Sequence, residues 1–61
     1  MFEVYFTVGK EVICNAIMQW LPRKGEQISL GEDIYEVINI TYVIKEGVFK
    51  KTMVIVMLKG I

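Results

Sequence analysis

Side chains able to do chemistry are few and scattered in this chain. Histidine is absent, and serine, aspartate and cysteine each occur once, as Ser29, Asp33 and Cys14. Histidine is the commonest general acid or base, and both Ser-His-Asp and Cys-His arrangements require it. One cysteine without histidine also cannot build a zinc site of the usual ligand set. The glycines, at positions 9, 25, 31, 47 and 60, show neither GxGxxG nor GxxxxGK[ST] spacing, so no phosphate cradle is encoded. Ser29 and Asp33 fall in or beside a short turn, where such residues serve turn geometry and solvation. Cys14 lies in an apolar strand environment with no nearby histidine or cation in sequence to favour its thiolate, so it reads as a small buried hydrophobe. The expectation is a chain that is no enzyme, with no cofactor and no metal.

Binding chemistry has more material. Arg23-Lys24 and Lys50-Lys51 form two small basic groups, the second beside Phe49, with Tyr42 and Lys45 on the preceding strand and turn. On a small barrel such cations and rings can hold single-stranded nucleic acid, amines tracking phosphates and bases stacking on aromatics. Two facts oppose that reading. Paired lysines on an edge strand also deter edge-to-edge aggregation, and seven Lys/Arg against seven Asp/Glu give zero net charge, without the footprint of a nucleic-acid binder. Trp20, next to a proline, is either a core plug or an exposed interface anchor. Candidates for contact with a partner are Trp20, Arg23, Lys24, Phe49 and Lys50.

The elements that position these residues read as strands. FEVYFTV puts Phe2, Val4, Phe6 and Val8 on one face and Glu3, Tyr5 and Thr7 on the other. Gly9-Lys10 suits a type II′ hairpin turn, so a strand returns from Glu11. Residues Glu11 to Leu21 also fit helical spacing, but their β-branched residues and the preceding turn favour a strand. That strand would set Val12, Cys14, Ala16, Met18 and Trp20 against Ile13, Ile17 and Leu21. Gln27 to Leu30 forms a short strand, turned by Gly31-Glu32-Asp33 into the long run Ile34 to Ile44. There the alternation changes phase: Tyr35 and Val37 mark one face, Ile38, Ile40, Tyr42 and Ile44 the other. A bulge near Ile38-Asn39 reconciles the two and bends the strand. Lys45-Glu46-Gly47 is the next turn, and Val48 to Leu58 the last strand.

At 61 residues the chain is one domain, near the size at which one core suffices without staples. Cys14 has no intramolecular disulfide partner. The chain is 54% apolar, with mean hydropathy +0.46, an excess that points to self-association. The run MVIVML suggests a strand buried on both faces, either central in the sheet or covered by a partner. Met53, Ile55, Val56 and Met57 are accordingly the candidate homodimer interface. Six apolar residues cannot span a bilayer, which takes roughly 20 in a helix. The opening MFEVYF lacks the features of a secretory signal. No membrane association and a cytoplasmic location are therefore expected.

The stretch LPRKGEQ, followed by a short strand, a Gly-Glu-Asp turn and IYEV, resembles a pattern found in small SH3-like β-barrel proteins of unknown function from phage and bacterial genomes. Leu21, Pro22, Arg23, Gly25, Glu26, Ile28, Tyr35 and Val37 carry the resemblance. The resemblance covers residues from about 12 to 44 and, with the strand pattern of the whole chain, implies an all-β fold, a small five-stranded antiparallel SH3-like barrel or curled sheet, as a single domain over residues 1–61. Small histidine-free, uncharged β-proteins of this kind also resemble phage-encoded inhibitors of host proteins, including antiviral defence proteins. The resemblance implies a noncatalytic protein-interaction module, acting as a homodimer on an unidentified protein target in the host cytoplasm. The alternative is a small nucleic-acid-binding β-barrel.

Overall fold

The computed structural model describes residues 1–45 and 51–61. It is all-β, with β1 (Phe2–Val8), β2 (Glu11–Met18), β3 (Gln27–Leu30), β4 (Asp33–Lys45) and β5 (Lys51–Gly60). The strands form one sheet in the order β2-β1-β5-β4-β3, curled into a half-barrel. The segment expected as a strand over Glu11 to Leu21 is one as far as Met18, with Gln19 to Leu21 beyond its end, and the helical alternative is overturned. Of the expected turn Lys45-Glu46-Gly47, Lys45 belongs to β4, and Glu46 and Gly47, with Val48, Phe49 and Lys50, lie outside the described residues.

Three of the four pairings are antiparallel, and β1 with β5 is parallel. The expectation of an antiparallel sheet fails at that one junction for a simple reason. Five strands joined by successive reversals leave the first and last running the same way, so they must be parallel if they become neighbours. The central position of β5 follows from this topology, and it explains the continuous apolar run. Val54, Val56 and Leu58 point inward and are buried, while Met53, Ile55 and Met57 point outward and are half-buried.

The core is Val4, Phe6, Val37, Val54, Val56 and Leu58, all from the three central strands. Register brings them together. Val4 lies opposite Val54 and Phe6 opposite Val56 across the parallel pair, and Val37 lies opposite Leu58 across the antiparallel one. Opposed residues share a face, so the three strands give one continuous inner surface. Phe2, Val8, Met18, Ile28, Leu30 and Ile40 pack around it.

Two bulges adjust the phase. Val37 pairs with Leu58 and Asn39 with Met57, leaving Ile38 as the extra residue in β4. This is where the alternation of the sequence changes phase, and the bulge returns Ile40 and Tyr42 to the face of Val37. The second bulge was not expected. Phe6 pairs with Cys14 but Thr7 with Val12, so Ile13 is extra in β2. Val12 therefore leaves the face of Cys14, Ala16 and Met18 and joins Thr7 on the outer surface, 60% exposed.

Candidate functional site

The curl of the sheet creates the main surface feature. The strands at its two ends, β2 and β3, both contribute to a cavity of about 460 Å³ on the concave side, lined by Phe6, Cys14, Ala16, Met18, Trp20, Pro22, Gln27, Ile28, Ser29 and Leu30. Sheet edges can share one cavity only if the sheet bends toward closure and stops short of it. The lining is apolar apart from Gln27 and Ser29 and contains no cation.

The corner between β2 and β3 holds one wall of this groove. Pro22, four residues past the end of β2, is buried, and its missing N–H suits a position outside the ladder. Arg23 to Glu26 form a β-turn in which the Glu26 N–H donates to the Arg23 carbonyl at 3.0 Å. Gly25 has φ 94°, as the third residue of a type II turn requires. The Arg23 N–H donates to the Glu26 carboxylate, which ties the turn across its mouth. LPRKGEQ is thus a structural corner.

Trp20 follows β2 and precedes the corner, lines the groove and is 68% exposed. The core-plug reading is therefore overturned, because the core closes among β1, β4 and β5 without it. Arg23 and Lys24 are exposed on the corner, outside the groove lining. The structure thus separates the two corner cations from the concave surface while placing Trp20 on it. Phe49 and Lys50 fall outside the described residues. Among the proposed dimer residues, Met53, Ile55 and Met57 share the outer face of β5. Val56 does not: it is 0% exposed in the chain's own core and offers no side-chain surface to a partner.

Cys14 is half-buried in the groove wall, with its thiol 3.7 Å from the Asn15 carbonyl. Ser29 donates its hydroxyl to the Gly31 carbonyl at 3.4 Å, and Asp33 closes the β3–β4 hairpin opposite Leu30. Both serve the turn, as their positions imply. Among the described residues no cluster of three or more His, Cys, Asp or Glu side chains could hold a metal ion. No helix among the described residues is long and apolar enough to cross a membrane.

Sequence reasoning missed Ala16, Ile28 and Leu30 as groove residues. Alternation marked each as one apolar position on a strand, with no signal that β2 and β3 would face each other. Comparison with family models, curated proteins and solved structures gives no match. The curled five-stranded sheet is compatible with an SH3-like barrel.

Proposed function

We propose that the chain is a noncatalytic protein-interaction module that works as a homodimer. The observation that carries this reading is the apolar groove between the free edges of β2 and β3, with Trp20 both lining it and exposed. Contiguous exposed apolar surface marks interaction sites, and tryptophan is enriched among residues that dominate interface energetics. Carriage by a phage and action on a host defence protein complete the proposal by analogy of size and composition.

The nucleic-acid alternative rests on Arg23 and Lys24 close to Trp20 in sequence, and the cation-free groove opposes it. The test compares capture of proteins from a bacterial extract by the wild-type chain and by Trp20→Ala. Proteins retained by the first and lost by the second support the reading; identical retention overturns it. Binding of a single-stranded oligonucleotide that weakens steeply with salt would favour the alternative instead.

A further inference from the structure

We infer that β2 pairs edge to edge with β2 of a second copy, antiparallel about a two-fold axis. The inference rests on the interaction reading and names the first occupant of the surface beside the groove.

The two free edges of the sheet are unequal. At four residues, Gln27–Leu30, β3 is short, and a short edge strand offers little to pair with. At eight residues, β2 is twice as long, and its outer edge has no backbone partner among the described residues. Monomeric sheet proteins guard long edges with lysine, proline, inward charges or a covering element. EVICNAIM has one charge, Glu11 at its start, and neither lysine nor proline. The bulge at Ile13 interrupts only the first part of the edge, so Cys14 to Met18 remains as a regular, uncharged stretch.

The inequality also selects the symmetry. Pairing of β2 with β3 of another copy would be head-to-tail and open-ended, and the short strand limits it. Pairing of β2 with itself is isologous and closes at two. A two-fold normal to the sheet keeps the faces aligned, so Cys14, Ala16 and Met18 of each copy lie on the same side as those of the other. Antiparallel overlap brings Trp20 of each copy toward the start of the other's β2.

The surface area fits one such contact. The chain exposes 4788 Å², whereas a compact monomer of 7.1 kDa exposes ~4,100 Å². The difference, about 700 Å², is close to the ~800 Å² that each partner contributes to a standard interface.

Light scattering at micromolar concentration, with Ala16→Lys and Met57→Lys beside the wild type, tests the pairing. Ala16 is exposed near the middle of β2, and a two-fold pairing brings the two introduced lysines together. Met57 lies on the outer face of β5 and probes the other placement of the dimer. The expected result is a wild-type dimer that Ala16→Lys weakens by about 100-fold or more at low salt, and that Met57→Lys leaves intact. A dimer dissociated by Met57→Lys and indifferent to Ala16→Lys overturns the pairing. A strict monomer that still captures proteins through Trp20 also overturns it, and leaves the interaction reading standing. Should Ala16→Lys fail to fold, hydrogen exchange on the wild type decides. Outward amides of Cys14 to Met18 that become protected as concentration rises support the pairing; rapid exchange at every concentration overturns it.

Discussion

The backbone N–H of Gly25 donates to the carbonyl of Val37 at 2.8 Å, and Val37 donates its own N–H to the Glu26 carbonyl at 2.9 Å. The corner is thereby stitched to a core residue that pairs on its other side with Leu58. These bonds extend the β3–β4 ladder past Gln27 and satisfy the backbone of a fully buried valine, where an unpaired polar group is costly. They also anchor the segment from Trp20 to Glu26 that walls the groove.

Gly25→Ala tests that anchor. No atom lies within 4 Å of the added Cβ, so the cost is conformational, arising from φ 94°. A side chain there costs about 1–2 kcal/mol, and each kcal/mol lowers the melting temperature of a domain this size by ~4–8 °C. A circular dichroism melt should show that loss; an unchanged midpoint would mean the corner can adopt another turn.

The inward and outward faces of β5 should respond differently to truncation. Val56→Ala removes two methyl groups from a site with no exposure and is expected to cost about 2–3 kcal/mol. Ile55→Ala, on the half-buried outer face, should cost less despite removing more atoms. Urea denaturation of both variants checks the order, and the reverse order would place Ile55 in the core.

Deleting Ile38 removes the extra residue of the β4 bulge. With Val37 held in place opposite Leu58, the shortened strand alternates regularly, Asn39 outward and Ile40 inward, so Ile40, Tyr42 and Ile44 keep their face and their partners on β5 without a bulge. A bulge adds a local bend and twist to its strand, so the deletion should straighten β4 and open the curl of the sheet while unfolding in urea stays cooperative. A dispersed amide spectrum is the expected result, and a variant that no longer unfolds cooperatively would show that β4 cannot pair with β5 without the bulge.

Trp20→Ala should separate stability from binding. An exposed side chain away from the core changes stability by within about 0.5 kcal/mol. Loss of capture with an unchanged melting temperature is the expected pair of results. A large fall in melting temperature would show that Trp20 holds the corner in place.

Features visible in the sequence are those with a local cause. The turn at Gly9-Lys10 was visible because a two-residue loop with glycine first specifies type II′ geometry, and Gly9 has φ 59°. The bulge at Ile38 was visible because one face of β4 is polar at Asn39 and Thr41, so a change of phase leaves a mark. The bulge at Ile13 left none. Val12, Ile13 and Cys14 are all apolar, and sliding the phase by one residue exchanges one apolar residue for another.

The sequence by itself therefore determined the strands, two of their turns, the corner at Pro22 and Gly25, and the scarcity of catalytic side chains. Each depends on residue type and on neighbours within a few positions. Only the tertiary structure decided that β5 lies between β1 and β4, that Val56 faces inward while Ile55 faces out, and that Trp20 stands beside a groove instead of filling the core. These depend on which distant strands pair and on how far the sheet curls. Hydrophobic burial rewards apolar area without direction, so an apolar strand does not encode which neighbour will cover it.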